Sequence, residues 1–264
     1  MTDELLDLQR IAEQAVGLGY DIVKSTTPAE IRHKGDRDIV TDVDITVENE
    51  VRDFLKHMTP GIGFLGEEEA ATAALIGDQD VWTLDPVDGT SNFAHGIPLC
   101  AVSLALVRHG KPVVAAIVVP FLDLRYVAAK GNGAFGNGMR LQASKATNLS
   151  ESIVSIGDYA VGDQAATKNE RRIRLTTRLA ERVERIRMFG SAALDLAWVA
   201  EGRTDAAIIL ANKPWDTAAG VLLAREAGAL VVDAAGVTHD FTSAETIAAS
   251  PGIIDSMLPL VEAS

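Results

Sequence analysis

Apolar residues near the start of the chain recur at every third or fourth position. Over residues 3–25 this spacing predicts an amphipathic helix, with one apolar and one polar face. A second helix is predicted to begin at Thr41 or Asp42, since both residue types are favourable N-caps. The segment between the helices, residues 31–42, is charged and contains glycine, so we expect an exposed, mobile loop there.

From residue 99 onwards the pattern changes to continuous apolar runs that are rich in β-branched residues. The runs over residues 99–108 and 112–119 predict two buried strands, and His109-Gly110-Lys111 between them predicts a hairpin loop. Residues 125–129 and the turn-rich residues 131–138 are expected to extend the same antiparallel sheet.

Beyond residue 150, short apolar runs alternate with helical stretches, which indicates α/β layering. The apolar runs are residues 152–156, 186–189, 206–210 and 229–232, and the helical stretches are residues 168–183, 192–201 and 217–227. We therefore expect an α/β protein with one domain over residues 1–264, built from an α+β half, residues 1–145, and an α/β half, residues 146–264.

Composition restricts the classes of function. The chain has 264 residues, of which 47% are hydrophobic, and this is enough for a full core. The formal net charge of −13 argues against a nucleic-acid partner, because binding to a phosphate backbone requires a basic surface. The same acidity is compatible with small phosphate substrates, since bound cations reverse the local field.

The cysteine content and the hydropathy pattern bear on the location of the protein. Cys100 is the single cysteine and lies in an apolar run, so we expect a buried, inert thiol and no internal disulfide. No apolar stretch reaches the roughly 18–20 residues that a membrane-spanning helix needs. The opening residues, with Asp3 and Glu4, do not follow the basic-then-apolar pattern of a secretory signal, and a cytoplasmic location is expected.

The most informative chemistry lies in the segment from Trp82 to Phe93. A short apolar run ends at Asp85 and Asp88, two carboxylates three positions apart, and Gly89-Thr90 follows as a tight turn typical of a helix start. Carboxylate oxygens suit Mg²⁺, and the backbone N–H groups of a helix start suit phosphate. The segment therefore predicts a pocket that binds both.

Three other places hold carboxylates next to helix starts or strand ends, and each has a simpler explanation. Asp42 and Asp44 would favour the N-terminal end of a helix dipole, Glu67–Glu69 would form a solvated acidic turn, and Asp216 would be an N-cap. If they share one pocket instead, they repel each other unless cations are present. Oxygen ligands that leave room for substrate phosphate favour Mg²⁺, whereas one cysteine and no paired-histidine motif argue against zinc.

The letters Asp88-Gly89-Thr90 also suggest a different phosphatase mechanism. Haloacid-dehalogenase-type phosphatases use an Asp-x-Asp-Gly-Thr loop whose first Asp is the nucleophile. In this chain that position is Pro86. Because proline cannot attack phosphorus, this interpretation is excluded.

Four motifs together resemble the inositol monophosphatase family of Mg²⁺-dependent, lithium-sensitive phosphatases. Gly66-Glu67-Glu68 is similar to the family's Gly-Glu-Glu motif, and Trp82–Phe93 is similar to its Trp-x-x-Asp-Pro-x-Asp-Gly-Thr-x-Asn-Phe motif. Gly190–Asp195 is similar to its Gly-Ser/Thr-Ala segment, and Trp215–Gly220 is similar to its Trp-Asp-x-Ala-Ala-Gly motif. The resemblance implies an α-β-α-β-α sandwich, two or three Mg²⁺ ions and a homodimer.

The resemblance also implies a set of metal ligands. Glu67 and Asp85, with the backbone carbonyl of Val87, would bind the first ion. Asp85, Asp88 and Asp216 would bind the second, and Glu67 would also face a weaker third ion. Thus four carboxylates, those of Glu67, Asp85, Asp88 and Asp216, would have a ligand role.

Catalytic roles follow from the same resemblance. Thr90, hydrogen-bonded towards Asp44, would orient the metal-activated water that attacks phosphorus, with no covalent intermediate. Backbone N–H groups of Gly89 and Thr90 would hold phosphate oxygens. The leaving-group side would be lined by Gly190, Ser191 and Ala192. Lys34, in the expected mobile loop, would either close over the metals or be a solvated surface charge.

The substrate is less defined than the chemistry. Inositol-phosphate members of the family carry a Glu seven residues before the Trp-Asp aspartate, and this chain has Ile209 there, which cannot accept a hydrogen bond from a sugar hydroxyl. Asn212 and Lys213 either make other contacts at this wall or lie on the surface. The predicted function is Mg²⁺-dependent hydrolysis of a small phosphate monoester, with inositol monophosphate as first candidate. Alternatives are histidinol phosphate, fructose 1,6-bisphosphate, a 3′-phosphoadenosine nucleotide, or a non-catalytic regulatory role on the same fold.

Overall fold

The computed structural model describes residues 2–36, 38–68 and 79–264. The helices are α1 (Thr2–Ser25), α2 (Asp42–Met58), α3 (Thr90–Ala94), α4 (Ala165–Ala180), α5 (Ala192–Glu201), α6 (Pro214–Glu226) and α7 (Ile254–Glu262). The strands are β1 (Ile31–Gly35), β2 (Asp38–Thr41), β3 (Gly63–Gly66), β4 (Val81–Asp88), β5 (Ala101–Arg108), β6 (Lys111–Val119), β7 (Leu124–Ala129), β8 (Gly133–Gly136), β9 (Met139–Arg140), β10 (Ile153–Ile156), β11 (Arg185–Arg187), β12 (Ala206–Ile209), β13 (Leu230–Val232) and β14 (Thr246–Ala249).

Strands β3 to β9 form one sheet in chain order. β3 and β4 are parallel, and each following neighbour is antiparallel. The β5–β6 turn is the predicted hairpin, and His109 and Gly110 both have positive φ there. Such a pair of residues matches the right-handed twist of the strands that it joins.

The second sheet has the strand order β11-β10-β12-β14-β13. β10 runs parallel to both of its neighbours, whereas β12, β14 and β13 pair antiparallel. The predicted alternation of helices and strands after residue 150 is therefore present, but the sheet is mixed. The apolar pattern gave no prediction for β14 and α7, which lie beyond the last predicted run, residues 229–232.

Four apolar clusters separate five layers of structure. The first cluster packs α1 and α2 against one face of the large sheet, and the second packs α5 and α6 against its other face. The third packs α4 and α7 on the outer face of the second sheet, and the fourth joins α5 and α6 to its inner face. This order is the predicted α-β-α-β-α sandwich, because both sheets bury both faces.

The alternation of side chains along the strands explains why β5 and β6 read as continuous apolar runs. On β5, Val102 and Leu104 face α1 and α2, whereas Ala101 and Ala105 face α5 and α6. A strand that is covered on both faces needs apolar residues at every position. The continuous runs therefore mark the centre of the sandwich.

The expectation of a loop over residues 31–42 is wrong for the described part of that segment, whereas its expected exposure is confirmed. β1 and β2 pair antiparallel there, with Ile31 opposite Thr41 and His33 opposite Ile39. Each residue of the strand β1 belongs to the exposed class, so the segment is an exposed hairpin. Thr41 ends the hairpin and caps α2, which confirms the predicted start of the second helix.

Two expectations about the hydrophobic runs can be compared with the structure. None of the helices in the described ranges is both long and apolar enough to cross a lipid bilayer. Cys100 is free and fully buried, and burial raises the pKa of its thiol to about 12. The expected burial of this thiol is therefore confirmed, and a protonated thiol is a poor nucleophile.

Candidate active site

A cavity of about 440 Å³ opens where the large sheet meets α5 and α6. Its walls carry four of the predicted carboxylates and both residues of the tight turn, namely Glu67, Asp85, Asp88, Asp216, Gly89 and Thr90. Glu67 follows β3, and the two Asp residues lie at the end of the adjacent strand β4. The parallel pairing of β3 with β4 thus brings the Gly-Glu-Glu segment beside the Asp-rich loop.

A β-bulge places Asp85 and Asp88 on one side of the sheet. Asp85 is opposite Ser103 and Asp88 is opposite Ala101, so three steps along β4 match two steps along β5. In a regular strand, residues three positions apart point to opposite faces. The extra residue restores the common orientation, and this is how both carboxylates reach the same cavity.

The carboxylates of this cavity strongly influence each other. Asp85 is 3% exposed, and burial raises the pKa of its carboxyl well above the usual range. The negative charges of Glu67, Asp88 and Asp216 raise that pKa further. Burial likewise raises the pKa of Asp216 to about 7. The cavity therefore favours groups that bring positive charge to these oxygens.

Asp88 is anchored at the N-terminus of α5. Its Oδ2 accepts hydrogen bonds from Ser191 Oγ at 2.5 Å and from the Ala193 N–H at 2.7 Å, and its Oδ1 accepts from the Ala192 N–H at 3.2 Å. Burial raises the pKa of Asp88 to about 6 although these donors oppose the shift. Ser191 and Ala192 line the cavity, as expected, and they also fix the orientation of this carboxylate.

Asp216 is the third residue of α6 and not its N-cap. Lys213 occupies the cap position, and its backbone N–H donates to Asp216 Oδ2 at 2.7 Å. The simpler explanation, that Asp216 is the N-cap, is therefore wrong, although the residue does help to start the helix. Because Asp216 also lines the cavity, the helix start and the site share one carboxylate.

Asp42 and Asp44 have different surroundings. Asp42 Oδ1 accepts hydrogen bonds from the backbone N–H groups of Ala29 and Glu30, both at 3.2 Å, so it stabilises the loop before the hairpin. Asp44 is fully buried and closes a capping box with Thr41, whose backbone N–H donates to Asp44 Oδ2 at 2.9 Å. Both residues lie in the first turn of α2, so the simpler explanation, that they favour the N-terminal end of the helix dipole, also holds.

The second oxygen of Asp44 faces Thr90. The Thr90 hydroxyl lies 3.0 Å from Asp44 Oδ1 and 3.0 Å from the carbonyl oxygen of Val87. A hydroxyl has one proton, so it donates to one of these acceptors at a time and keeps its lone pairs for another donor. Burial raises the pKa of Asp44, whereas the hydrogen bonds from Thr41 and Thr90 lower it.

Gly89 forms the turn between β4 and α3 with a φ of +89°. A side chain at this position would place its Cβ 2.9 Å from the carbonyl oxygen of Leu99 and 3.0 Å from that of Gly190. Glycine is therefore required for both the conformation and the space. The turn brings Gly89 and Thr90, the expected phosphate contacts, to the wall of the cavity.

Lys34 on the hairpin makes two ion pairs with the Gly-Glu-Glu segment. Its Nζ lies 2.9 Å from Glu67 Oε1 and 2.6 Å from Glu68 Oε1. Its side chain is 27% exposed and that of Glu68 is 12% exposed, so neither is simply solvated. Burial raises the pKa of Glu68 to about 7 and outweighs the opposing effect of the Lys34 ammonium. Glu69, the last residue of the expected acidic turn, lies outside the described residues.

The donor set is suited to Mg²⁺. Within the described ranges, no three His, Cys, Asp or Glu side chains converge closely enough to enclose a metal ion by themselves. Mg²⁺ is usually held by one or two carboxylates together with water and substrate phosphate, so it does not need a closed protein cage. Buried carboxylates of raised pKa that border an open cavity, with the Val87 carbonyl beside them, fit this type of binding.

The cavity wall is apolar at Ile209, the position at which the sequence lacks a hydroxyl-binding side chain. Ile209 is 5% exposed and lines the cavity at the end of β12. Asn212 donates to the carbonyl oxygen of Ser243 at 3.0 Å, and neither Asn212 nor Lys213 is among the residues that line the cavity. These two residues therefore do not replace the hydroxyl-binding side chain that the sequence lacks at Ile209.

Several lining residues were not predicted from the sequence. They are Gly157, Asp158, Tyr159, Ala160, Val161, Lys168, Arg172, Asp195, Leu210 and Ala211. Asp195 lies four residues after Ser191 on the same helix, and that spacing could have indicated a common face. Lys168 and Arg172 come from α4, and nothing in the local sequence indicates that α4 approaches this cavity.

Comparisons with known proteins agree with this architecture. Residues 2–263 match the Inositol monophosphatase family. The chain belongs to this family. Inositol monophosphatase 1 of Solanum lycopersicum is 34% identical over 98% of this chain and 93% of its own length. The Nus factor SuhB of Escherichia coli is 36% identical over 94% of this chain and 92% of its own length.

A solved structure extends the comparison to three dimensions. The IMPase of Thermotoga maritima superposes with a TM-score of 0.85 at 30% identity, over 99% of this chain and 97% of its own. The family assignment makes the chain a phosphoric monoester hydrolase, as the motifs predicted.

Proposed function

We propose that this family member hydrolyses a small phosphorylated metabolite in a Mg²⁺-dependent reaction, with inositol monophosphate as the first candidate. The proposal is supported by one observation above all. Glu67, Asp85, Asp88 and Asp216 border a single cavity together with Thr90, whose hydroxyl is paired with the buried Asp44. Relatives that are named inositol monophosphatases come from Solanum lycopersicum, Dictyostelium discoideum and Mycolicibacterium smegmatis.

The carboxylates would divide between metal ions. Glu67 and Asp85, with the Val87 carbonyl, would hold one ion, and Asp85, Asp88 and Asp216 would hold another, with Glu67 open to a third. The Val87 carbonyl oxygen lies 3.0 Å from the Thr90 hydroxyl, and when that hydroxyl donates to Asp44 instead, the carbonyl lone pairs remain for a cation. Bound Mg²⁺ would supply charge stabilisation and a lowered water pKa at the phosphoryl group.

Thr90 and Asp44 would position the attacking water. When the Thr90 hydroxyl donates to Asp44 Oδ1, its lone pairs can accept a proton of a water in the cavity. Asp44 is held by Thr41 on its other oxygen, so the pair has a fixed direction. This arrangement needs no protein nucleophile, which agrees with the proline at position 86.

The remaining contacts would orient the substrate. Gly89 and Thr90 would offer backbone N–H groups to phosphate oxygens, and Gly190, Ser191 and Ala192 would border the leaving group. Since Ser191 and Ala192 donate to Asp88, they would link the leaving-group side to the carboxylate cluster.

A second candidate substrate class follows from the opposite wall. Lys168 and Arg172 line the same cavity, and neither forms an ion pair with a carboxylate of the described residues. Arg172 instead donates to the backbone carbonyls of Asp158 and Lys168. Two cations beside the leaving-group side favour an alcohol with a second anionic group, as in fructose 1,6-bisphosphate.

A substrate panel tests the proposal. Phosphate release is measured with and without Mg²⁺ on inositol, histidinol, sugar and 3′-phosphoadenosine phosphates, and Li⁺ inhibition is measured on the best substrate. We expect Mg²⁺-dependent turnover of inositol monophosphate. If no member of the panel releases phosphate, the regulatory alternative is favoured, and one relative, SuhB of Escherichia coli, is named as a Nus factor. The homodimer and the cytoplasmic location stay predictions, and light scattering tests the first.

A further inference from the structure

Asp195 is a buried carboxyl group in the wall of the cavity that has no role in the proposed chemistry. It is the fourth residue of α5, it is 1% exposed, and it lines the same cavity as Asp88 and Gly190. Its Oδ1 has no hydrogen-bond partner among the residues that the structure describes. A buried polar atom without a partner costs roughly 1–3 kcal/mol, so a side chain of this kind needs an explanation.

The fold does not use Asp195 to cap α5. Ser191 is the N-cap, and its Oγ accepts from the Leu194 N–H at 3.2 Å, while the N–H groups of Ala192 and Ala193 donate to Asp88. The donors at this helix start are therefore engaged by other residues. No Lys, Arg or His of the described ranges forms an ion pair with Asp195.

The surroundings favour a neutral carboxyl group that can both donate and accept. Burial raises the pKa of Asp195 well above its usual range, and the nearby charges of Asp88 and Asp158 raise it further, whereas a hydrogen bond with the Ser155 side chain lowers it. A protonated carboxyl offers one O–H donor and retains acceptor oxygens. An alcohol hydroxyl has the same dual capacity, and it is a natural partner for such a group.

Asp195 lines the same cavity as Ile209, the position where the sequence lacks a hydroxyl-binding side chain. Ile209 belongs to one apolar cluster with Leu196, the residue after Asp195 on α5. The wall where α5 packs against β12 therefore carries one apolar and one polar side chain. A ligand hydroxyl at this wall meets Asp195, since isoleucine offers it no hydrogen bond.

We infer that Asp195 binds a hydroxyl of the leaving-group alcohol and makes the enzyme selective for polyol and sugar phosphates over phosphates without hydroxyls. The inference rests on the proposed function, because it assigns the leaving-group side of that same cavity. It places hydroxyl recognition on α5 instead of on the end of β12.

The first test compares two substrates in three variants. Wild type, Asp195→Ala and Asp195→Asn are assayed with inositol monophosphate and with p-nitrophenyl phosphate, whose leaving group has no further hydroxyl. We expect Asp195→Ala to lower kcat/KM about 10–100-fold for the inositol ester, mainly through KM, and to leave the aryl ester within about threefold. Asp195→Asn keeps both donor and acceptor, so it should restore most of the selectivity.

A matched control removes an Asp carboxyl outside the cavity. Asp163→Ala, at an exposed position, should keep the ratio of the two kcat/KM values as in wild type. If Asp195→Ala changes both substrates equally, Asp195 has only a structural role and the inference is overturned.

A binding measurement separates this inference from the proposed function. Binding of free myo-inositol is followed by saturation-transfer NMR in the presence of Mg²⁺ and inorganic phosphate. Should wild type hydrolyse neither ester, the proposed function fails, and binding that Asp195→Ala abolishes and Asp163→Ala preserves still supports the inference. Absence of inositol binding to wild type, or equal binding to all variants, overturns it.

Discussion

The hydroxyl of Thr90 lies 3.0 Å from Oδ1 of Asp44, although 46 positions separate the two residues. Asp44 is fully buried and its other oxygen accepts from Thr41, so α2 holds the carboxylate in place. α3 begins at Thr90 directly after the acidic loop. One carboxylate therefore connects the start of α2 to the start of α3 at the cavity wall.

Replacement of Thr90 by valine tests this connection. Thr90→Val keeps the shape of the side chain but removes the hydroxyl, so the proposed attacking water loses its acceptor. We expect kcat to fall at least about 100-fold, in the range of a lost acid–base or water-positioning group, with little change in KM. Thr90→Ser keeps the hydroxyl and is the control. Steady-state kinetics in which both variants behave alike would contradict the role.

Asp88 is expected to be important for both stability and turnover. An amide in Asp88→Asn turns an N–H₂ group towards Ser191 or towards the Ala192 and Ala193 N–H groups, which are all donors. The free energy of unfolding should fall by about 1–3 kcal/mol, and phosphate release should be abolished. Urea unfolding and the Mg²⁺-dependent assay measure the two effects.

The exposed Asp163 provides the control for that substitution. Asp163→Asn should leave both quantities unchanged, because this side chain lies outside the cavity. An Asp88→Asn protein with wild-type turnover would remove Asp88 from the proposed ligands.

The pH dependence of stability should report on the carboxylates. Burial raises the pKa of Asp88 to about 6 and those of Asp216 and Glu68 to about 7, above the value of about 4 in an unfolded chain. Between pH 4 and pH 7 the unfolded chain loses these protons first, so the free energy of unfolding falls as pH rises. Their stabilising contribution is complete below pH 4 and lost above pH 7.

One buried histidine acts in the opposite direction. Burial lowers the pKa of His239 to about 4, and its contribution to stability therefore grows as pH rises towards neutrality. His239 lies outside the cavity, so its titration should affect Tm to the same extent with and without Mg²⁺. The informative quantity is therefore the rise in Tm that millimolar Mg²⁺ causes. That rise should be larger at pH 8 than at pH 5, by several degrees in differential scanning calorimetry. An equal rise at both pH values would contradict cation binding to these carboxylates.

Lys34 is expected to compete with Mg²⁺ for Glu67. The ammonium lies 2.9 Å from Glu67 Oε1, and a carboxylate oxygen that binds Lys34 is less available to a divalent cation. Lys34→Met should lower the Mg²⁺ concentration at half-saturation about 2–5-fold, in line with a partly exposed ion pair worth about 0.4–1 kcal/mol. Isothermal titration calorimetry measures the change. Lys130→Met, at an exposed position away from the cavity, is the control, and weaker Mg²⁺ binding in Lys34→Met would refute the competition.

Close packing of α5 against α6 should be intolerant of added volume. A Cβ on Gly220 would lie 2.5 Å from Cβ of Leu196, so Gly220→Ala forces the helices apart. We expect the free energy of unfolding to fall by about 1–3 kcal/mol. Turnover should fall as well, because these helices carry Ser191 and Asp216.

Gly17 offers a matched control for that substitution. It lies within α1, and a Cβ at this position would meet no atom of another element within 4 Å, so Gly17→Ala should be neutral or stabilise by up to about 1 kcal/mol. Thermal unfolding of both variants gives the comparison. A Gly220→Ala protein as stable as Gly17→Ala would show that the helix contact can relax.

Local sequence patterns determined much of the fold and of the site. Apolar spacing predicted α1, α2, β5 and β6, because helical and strand periods depend only on which positions are apolar. The N-cap at Thr41 and the turn at His109-Gly110 are short-range features of the same kind. The letters from Trp82 to Phe93 likewise indicated the acidic loop without any knowledge of the fold.

Only the tertiary structure decided which side chains share the cavity. A bulge in β4 turns Asp88 to the side of Asp85, and the pairing of β3 with β4 brings Glu67 to them. The ion pairs of Lys34 and the burial of Asp195 depend on contacts between distant segments. Such contacts are set by strand register and layer packing, which local periodicity does not encode, and for this reason the sequence indicated the chemistry while the fold decided its surroundings.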